Sequence, residues 1–215
     1  MAYSSIIFDL DGTLLDTLYD IAETANATLV RHGFPPHPQK EYRRFVGDGL
    51  SVLIERITPK ATTHALLESC HQMFLQLYAD NWYKNCRPYP GIEDLLSAIV
   101  KRSVGISVLS NKPQEFTQLF IDRYFPAVPF FPIYGQREGV ARKPDPTVAL
   151  QIAHQQNLLP EKILFVGDTA IDIRTGKAAA MATAAVTWGF RGIDELQREQ
   201  PDILVNTPLD LLQYV

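Results

Sequence analysis

Short apolar runs alternate with helical patterns over most of the chain. The runs are rich in β-branched and aromatic residues, which is typical of strands buried in a parallel sheet, and apolar spacings of three and four between them predict helices. Strands that alternate with helices indicate βαβ units with right-handed crossovers. We predict strands at 5–10, 104–109, 130–134, 162–166, 182–187 and 202–205, and helices at 92–101, 114–124, 144–156 (begun by Pro144) and 170–180.

The segment after the first strand has a helical pattern throughout. Apolar positions predict helices at 16–31, 42–46, 50–57 and 61–83. The sequence therefore predicts an α/β fold, a Rossmann-like parallel sheet with helices on both faces, into which an all-helical domain is inserted. The predicted boundaries are residues 1–15 and 87–215 for the α/β domain and residues 16–86 for the helical domain.

The first apolar run ends in an acidic turn, Asp9-Leu10-Asp11-Gly12-Thr13. Residues two apart in an extended chain point to the same side, so Asp9 and Asp11 are expected to project together. Carboxylates this close repel each other unless a cation or a proton lies between them, and Mg²⁺ prefers oxygen ligands. Taken alone, the stretch also fits a β-turn in which Asp, Gly and Thr satisfy backbone groups.

The other predicted strands also end in polar residues. Ligands of open α/β sheets bind beyond the carboxyl ends of the strands, so these residues are candidates for a single site. Singly, each also fits an ordinary role as a helix cap or a solvated charge. Together, carboxylates, the ammonium group of Lys143 and hydroxyl and amide donors predict a site for Mg²⁺ and phosphate. The residues are Ser110, Asn111 and Lys112 after the second strand, Lys143 in the loop after the third, and Asp168 and Asp172 after the fourth.

Four motifs resemble, in order, those of the haloacid dehalogenase-like hydrolase superfamily. The resemblance covers essentially the whole chain, and the helical insertion is similar to the cap domain of its phosphoglycolate phosphatase-like and β-phosphoglucomutase-like members. It implies an Mg²⁺-dependent phosphatase that hydrolyses a small phosphate monoester through an aspartyl-phosphate. The motifs are Asp9-Leu-Asp11-Gly-Thr13, Ser110-Asn111, Lys143-Pro144 and Gly167-Asp168-Thr-Ala-Ile-Asp172.

The resemblance also implies the parts that these residues take in catalysis. Asp9 would be the nucleophile, and Asp11 the acid that protonates the leaving alkoxide and the base that later accepts a proton from water. Ser110 and Lys143 would stabilise charge on the transferring group. The implied phosphate-binding residues are Gly12, Thr13, Ser110, Asn111 and Lys143, and the implied Mg²⁺ ligands are Asp9, the backbone carbonyl of Asp11, Asp168 and, through a water, Asp172.

A loop with two glycines, Arg44-Phe-Val-Gly47-Asp48-Gly49-Leu50, connects two predicted helices. Such a loop can approach another surface closely, although an ordinary interhelical turn fits equally well. It is similar to the cap loop of phosphoglycolate phosphatases, and residues 187–192 resemble the aromatic-glycine turn of those proteins. Arg44, Gly47 and Gly49 are therefore candidate substrate contacts, and 2-phosphoglycolate is the favoured substrate. A sugar-phosphate phosphatase, a phosphomutase and a pyrophosphatase stay open.

Three other chemistries are less compatible with the sequence. Dehalogenases resemble this pattern with the second aspartate replaced, so Asp11 favours chemistry at phosphorus. A phosphonate-cleaving member would need a Schiff-base lysine in the cap, and Lys40, Lys60 and Lys84 lie in no clear buried motif. A signalling receiver domain also surrounds a phosphorylated aspartate with acids, Mg²⁺, a hydroxyl and a lysine. Its acidic pair, however, precedes that aspartate by a strand's length or more, and it needs no helical insertion.

Composition narrows the partners and the compartment. Of the 215 residues, 46% are hydrophobic and 20% are charged, and the net charge of −4 argues against a nucleic-acid-binding protein. No apolar run is long enough to span a membrane, and the N-terminus lacks the pattern of a signal peptide. Cys70 and Cys86 have no C-x-x-C spacing and are expected to be thiols. We expect a cytoplasmic enzyme, a monomer or a homodimer, acting on a small phosphorylated metabolite.

Overall fold

The computed structural model describes residues 2–215 and has a six-stranded sheet at its centre. The strands of the chain are β1 (Ser5–Phe8), β2 (Leu15–Asp16), β3 (Arg87–Pro88), β4 (Gly105–Pro113), β5 (Ile133–Gln136), β6 (Ile163–Gly167), β7 (Ala182–Val186) and β8 (Ile203–Val205). The sheet has the order β5-β4-β1-β6-β7-β8, and each neighbouring pair in it is parallel. The predicted parallel α/β fold is confirmed.

Helices connect the strands, as the spacing of apolar residues predicts. The pattern does not predict α9, which buries only Leu196, or the three 3-10 helices. The helices are α1 (Leu18–Arg31), α2 (Tyr42–Phe45), α3 (Leu50–Ile57), α4 (His64–Asn81), α5 (Ile92–Lys101), α6 (Gln114–Tyr124), α7 (Thr147–Gln155), α8 (Ala170–Ala178) and α9 (Ile193–Arg198), with 3-10 helices at Gln39–Glu41, Pro160–Lys162 and Pro208–Gln213.

Strand β1 lies in the middle of the sheet, between β4 and β6, which explains its unbroken apolar sequence. All four of its residues are buried. Ile6 and Phe8 pack into the hydrophobic core on one face of the sheet, and Ile7 packs into a second core on the other face. Helices therefore cover both faces, and the residues that follow Phe8 emerge at the carboxyl edge in the middle of the sheet.

The helical segment, residues 16–86, shares a hydrophobic core with one face of the sheet. One cluster of buried side chains includes Leu53 and Phe74 from this segment and Phe8 from β1. The two connections to the segment also contact each other, because β2 and β3 pair antiparallel outside the main sheet. The division into an α/β domain and a helical domain at the boundaries predicted above stays a prediction.

Asp20, near the start of α1, also holds these two connections together. Its buried carboxylate accepts hydrogen bonds from the backbone N–H groups of Asn85 (2.9 and 3.0 Å) and Cys86 (2.9 Å). The Asn85 side chain donates a further bond of 2.7 Å. The acid therefore provides the acceptor for two backbone donors, one of them buried, where the chain leaves the helical segment.

The helix predicted to begin at Pro144 begins instead at Thr147. The prediction of its start is wrong because Pro146 disfavours the helical conformation for the residue before it, Asp145. The Asp145 side chain then accepts a hydrogen bond of 2.9 Å from the Thr147 N–H group. Lys143 consequently lies in a loop, several residues before the helix.

The second and third strands of the sequence pattern also differ from the structure. Strand β4 continues to Pro113, so Ser110, Asn111 and Lys112 lie within the end of the strand and not after it. Strand β5 starts at Ile133, later than predicted, because Pro132 has no N–H group to donate to a neighbouring strand. Both differences shift strand boundaries and leave the order of elements unchanged.

The sequence predicts free cysteine thiols and no apolar run long enough to span a membrane. Cys70 and Cys86 are buried free thiols, as predicted. Within residues 2–215, no helix has both the length and the apolar character that crossing a membrane requires.

The Asp20→Ala substitution should destabilise the protein. It leaves the buried N–H group of Cys86 and the partly buried N–H group of Asn85 without their acceptor, and we expect the free energy of unfolding to fall by roughly 2–4 kcal/mol. Asp80→Ala, an exposed acid on α4, is the matched control and should change it by less than about 0.5 kcal/mol. Equal effects in denaturant titrations would contradict the proposed contribution of Asp20.

Candidate active site

Asp9 is the first residue after β1 and lies at the centre of the carboxyl edge of the sheet. Its N–H group continues the sheet by donating to the Val166 carbonyl at 2.9 Å. Its Oδ1 atom accepts a hydrogen bond from the Leu10 N–H group at 2.7 Å and lies 2.9 Å from Lys143 Nζ. The side chain is 8% exposed, so the carboxylate is held in a fixed position at a site that little water reaches.

Asp168 and Asp172 lie next to Asp9 because β6 is the neighbour of β1 in the sheet. Asp168 directly follows β6, and Asp172 lies in the first turn of α8, where Thr169 donates backbone and hydroxyl hydrogen bonds to the Asp172 Oδ2 atom (3.0 and 2.6 Å). Oxygens of Asp9, Asp168 and Asp172 all lie within 4.8 Å of one another. The predicted convergence of these acids is therefore present in the structure.

The acidic turn and the loop after β7 both pack on Asp168. Thr13 donates its hydroxyl hydrogen to Asp168 Oδ1 (3.1 Å), and the Phe190 N–H group donates to Oδ2 (2.7 Å). Gly12 has φ = +85°, and a Cβ atom added there would overlap the Asp168 carboxylate. The turn thus requires glycine at position 12 for its backbone conformation and for its close approach to the acid.

Lys143 is the cation in contact with these acids. Its Nζ atom lies 2.7 Å from Asp172 Oδ1 and 2.9 Å from Asp9 Oδ1, and its side chain is 1% exposed. Burial lowers the pKa of Lys143, but the Asp172 and Asp9 carboxylates outweigh burial and raise its pKa above the ordinary value. The ammonium group therefore stays charged at neutral pH.

The three acids fit a divalent cation. Burial, and to a lesser degree the neighbouring carboxylates, raise the pKa of Asp9 from 3.8 to about 7 and that of Asp168 from 3.8 to about 8. Three carboxylates and one ammonium group leave an excess of negative charge in a buried place, and carboxylate oxygens are the ligands of hard divalent ions. Asp9, Asp168 and Asp172 could therefore bind a metal ion.

The Asp11 carboxylate forms an ion pair with Lys112, whereas Asp9 pairs with Lys143. Lys112 Nζ lies 3.0 and 3.1 Å from the two carboxylate oxygens of Asp11, and the Thr17 hydroxyl donates to Oδ1 at 2.7 Å. Lys112 also donates to the Tyr78 hydroxyl at 3.0 Å. The position of Lys112 at the end of an apolar strand indicates a functional cation. Its pairing with Asp11 was not predicted from the sequence.

A pocket lies between the carboxyl edge of the sheet and the helical segment. Asp9, Asp11, Ser110 and Asn111 line it, together with Gly47 and Gly49 of the loop before α3. Most of the remaining wall is apolar. Its side chains are Ile21, Val46, Leu50, Leu53, Phe74, Leu75, Tyr78, Pro113 and Phe116.

Ser110 and Asn111 are both buried at the end of β4. The Ser110 hydroxyl accepts a hydrogen bond from the Lys112 N–H group (3.3 Å). Asn111 accepts from the Lys143 N–H group (2.9 Å) and donates to the carbonyls of Lys143 and Gly47 (3.1 Å each). Asn111 thus holds the Lys143 loop and the glycine loop of the helical segment in place beside the pocket.

The structure does not bring Arg44 into the pocket. Arg44 is exposed and lines a separate cleft with Arg56, Arg174 and Arg191. The short helix α2 presents its buried side through Tyr42, and Arg44, two residues on, lies on another face. Of the loop residues predicted to contact substrate, Gly47 and Gly49 are at the pocket and Arg44 is not.

Two arginines that the sequence reasoning did not single out join the loop to the core. Arg191 Nη2 donates to the Val46 carbonyl at 2.7 Å, and Arg43 Nη1 donates to the Gly189 carbonyl at 3.2 Å. Arg191 lies within the aromatic-glycine turn at 187–192, so the resemblance noted for that turn is the signal that could have identified it.

Several known proteins are similar to this chain in sequence and in fold. The profile of the haloacid dehalogenase-like hydrolase family matches residues 6–186. The phosphoglycolate phosphatase of Aquifex aeolicus is 32% identical over 98% of this chain and 95% of its own length. The N-acetylmuramic acid 6-phosphate phosphatase of Pseudomonas aeruginosa is 31% identical over 100% and 96%.

A solved structure from Lactobacillus delbrueckii subsp. bulgaricus, which carries a provisional phosphoglycolate phosphatase name, superposes on this chain with a TM-score of 0.93. It is 29% identical, and the superposition covers 98% of this chain and 97% of the other.

Without a divalent metal, ionisation of the acid cluster should destabilise the protein as the pH rises. Asp9 and Asp168 titrate near 3.8 in the unfolded chain but have pKa values of about 7 and about 8 in the fold. Their protonated forms therefore favour folding, and this contribution is lost as pH rises through the folded pKa values. We expect Asp168→Asn, which cannot ionise at this position, to melt above the wild type at about pH 8 in EDTA, and the difference to shrink toward about pH 5.

Mg²⁺ should raise the melting temperature of the wild type more than that of Asp168→Asn. Metal binding requires ionised carboxylates and stabilises the native state, so the wild type should gain more in melting temperature than Asp168→Asn when Mg²⁺ replaces EDTA at about pH 8. Asp80→Asn, on the exposed side of α4, is the control for loss of one charge. A wild-type melting temperature that does not respond to Mg²⁺ would contradict the metal site.

Proposed function

The chain belongs to the haloacid dehalogenase-like hydrolase family, and we propose that it is an Mg²⁺-dependent phosphatase whose substrate is 2-phosphoglycolate. The observation that carries the proposal is the convergence of Asp9, Asp168 and Asp172, with Lys143 paired to two of them, beside a pocket that Asp9 and Asp11 line. The choice of substrate is supported by several relatives named phosphoglycolate phosphatase. As a small-molecule enzyme, it would work in the cytoplasm, as a monomer or a homodimer.

Asp9 is the proposed nucleophile. Its carboxylate would attack the phosphorus atom, forming an aspartyl-phosphate while the bond between phosphorus and the leaving oxygen breaks. Lys143, which lies 2.9 Å from Asp9, and Ser110, at the edge of the same pocket, would stabilise the negative charge on the transferring group. Both positions are buried, where such interactions are stronger than in water.

Asp11 is the proposed general acid and base. It lines the same pocket as Asp9 but does not share its ion pair, because its own partners are Lys112 and Thr17. In the first step it would give a proton to the leaving alkoxide. In the second it would take a proton from the water that attacks phosphorus, and the bond between phosphorus and Asp9 would break.

The proposed Mg²⁺ ligands are the side chains of Asp9 and Asp168 and the backbone carbonyl of Asp11, with Asp172 nearby. When bound, Mg²⁺ supplies positive charge that offsets the repulsion between a phosphate dianion and the carboxylates. Gly12 and Thr13 would shape the turn that faces the phosphate, and Asn111 would keep Lys143 in position through its backbone bonds.

The helical segment would select the substrate. Its helices and the loop with Gly47 and Gly49 supply much of the pocket wall, so they would face the leaving group and exclude bulk water. The apolar wall and the similarity to an N-acetylmuramic acid 6-phosphate phosphatase favour a sugar-phosphate phosphatase as the second candidate. A phosphomutase and a pyrophosphatase remain alternatives from the same family.

The Asp9→Asn substitution should abolish turnover and leave the fold intact. The amide cannot form the aspartyl-phosphate, so we expect kcat to fall by at least about 1000-fold. Phosphate release from 2-phosphoglycolate in Mg²⁺ is the measurement, circular dichroism checks the fold, and Asp80→Asn is the matched control. Near-normal rates would remove Asp9 as the nucleophile.

The Asp11→Asn substitution should affect substrates according to their leaving groups. An alkoxide needs a proton from the acid, whereas nitrophenolate leaves without one, so we expect a loss of about 100-fold or more for an alkyl phosphate and a much smaller loss for p-nitrophenyl phosphate. Values of kcat/KM for 2-phosphoglycolate and for the aryl ester give the comparison, because kcat/KM covers the steps up to aspartyl-phosphate formation and not its hydrolysis, which Asp11 would also assist. Equal losses in the two kcat/KM values would contradict the acid function of Asp11.

Selectivity can be measured with a panel of small phosphate esters. If 2-phosphoglycolate is the substrate, its kcat/KM should exceed those of hexose 6-phosphates and pyrophosphate by at least about 10-fold, because the contacts of the pocket with the leaving group in the transition state would then suit glycolate best. The highest kcat/KM on a sugar phosphate would favour the second candidate. Isomerisation of a sugar phosphate without release of phosphate would favour a mutase.

A further inference from the structure

Lys112 places a buried ammonium group in the wall of the pocket. Its side chain is 4% exposed, and in the described part of the chain it is the only cationic residue among those that line this pocket. Its Nζ atom contacts both oxygens of Asp11 and the Tyr78 hydroxyl, and it lies 4.9 and 4.8 Å from the ring centres of Tyr78 and Phe120. These contacts fix its position on the side of the helical segment.

The other polar groups near the pocket already have partners that serve the phosphate end. Lys143 is paired with Asp9 and Asp172. The amide of Asn111 is bonded to the backbone of Lys143 and Gly47. The Ser110 hydroxyl is assigned above to the transferring group. Among the side chains that line the pocket, a substrate whose phosphate is at Asp9 would therefore find Lys112 and Tyr78 as the remaining charged or hydroxyl donors for its leaving group.

The apolar wall makes this pair of donors decisive for an anionic leaving group. A carboxylate that leaves water for such surroundings needs a cation or hydrogen-bond donors in exchange. Leu50, Leu53, Phe74 and Phe116, which line the same pocket, offer neither. Discrimination between a carboxylated and a neutral leaving group would thus depend on Lys112.

Lys112 and Tyr78 can bind a second anion without abandoning Asp11. Thr17 also donates to Asp11 Oδ1 (2.7 Å), so Asp11 keeps a donor if Lys112 shares its hydrogen bonds. Tyr78 accepts from Lys112 and retains its own hydroxyl hydrogen to donate. Burial raises the pKa of Tyr78 well above its ordinary value, so the hydroxyl keeps that hydrogen at neutral pH.

We propose that Lys112, together with Tyr78, binds a carboxylate on the leaving group and makes the enzyme selective for carboxylated phosphate monoesters over neutral ones of the same size. The inference rests on the proposed function and goes beyond it by naming the residues that select the substrate. Lys112 is thus a specificity-determining residue, in contact with the substrate and with the general acid.

The test compares two substrates in each variant. 2-Phosphoglycolate and 2-hydroxyethyl phosphate are similar in size and both have alkyl leaving groups, but only the first carries a carboxylate. In Lys112→Met we expect kcat/KM for 2-phosphoglycolate to fall by about 100-fold more than kcat/KM for 2-hydroxyethyl phosphate, with much of the difference in KM. Lys112→Arg, which keeps the charge, should retain most of the preference.

The ratio of the two kcat/KM values within one variant separates selectivity from other effects. Misfolding, or a disturbed Asp11, lowers both rates and cancels in the ratio. Tyr78→Phe removes one hydroxyl from the same pair and should lower the ratio by roughly 5- to 10-fold. Lys84→Met, an exposed lysine of the helical segment, should leave it unchanged.

The outcomes distinguish this inference from the proposed function. If the wild type prefers 2-phosphoglycolate and both Lys112→Met and Tyr78→Phe keep that preference, the assignment of Lys112 is overturned and the proposed function stands. If the wild type itself has no preference for 2-phosphoglycolate over 2-hydroxyethyl phosphate, the proposed substrate is wrong, and the inference fails with it. Loss of the preference in Lys112→Met with its retention in Lys112→Arg supports the proposal.

Discussion

Repulsion among three buried carboxylates is the constraint on which the rest of the site depends. Asp9, Asp168 and Asp172 hold oxygens within 4.8 Å of one another, and Lys143 offsets part of their charge. Burial of a cluster of charged carboxylates is unfavourable unless hydrogen bonds and opposite charges compensate for the loss of water. The turn after β1, the loop after β7 and the first turn of α8 supply N–H and hydroxyl donors, and a divalent cation would complete the balance. The same repulsion that destabilises the three carboxylates without a metal favours the binding of a divalent cation between them.

Asp9 and Asp11 are two residues apart and line one pocket, yet each has its own cation. Lys143 contacts Asp9, and Lys112 contacts Asp11. The proposed attack on phosphorus by Asp9 and proton transfer by Asp11 would need carboxylates in different surroundings, because a nucleophile must meet the phosphate and an acid must meet the leaving oxygen. The two ion pairs provide this difference, and the second of them extends the site toward the helical segment.

Much of the fold follows from local sequence patterns. The bounds predicted for α5 and α6 match the structure, and an unbroken apolar run correctly identified β1 as a buried strand. The rule that ligands lie beyond the carboxyl ends of parallel strands brought Asp9, Asp168 and Asp172 to one place from their positions in the chain alone. The start of α7 was missed where Pro146 overrides the helical pattern, and the start of β5 was missed because Pro132 cannot donate to a neighbouring strand. The end of β4 was missed because its last residues pair with β5, which lies elsewhere in the sequence.

The sequence by itself determined the order of strands and helices along the chain and the acids that follow β1 and β6. Hydrophobic periodicity and the position of a residue after a strand can be recognised within a few residues. Only the tertiary structure decided which charges meet. Lys112 and Asp11 are 101 positions apart, and Arg191 reaches the backbone of Val46 from 145 positions away. The same packing leaves Arg44 outside the pocket. Such contacts depend on the faces that elements present to each other after the helical segment packs on the sheet, and no local pattern records that choice.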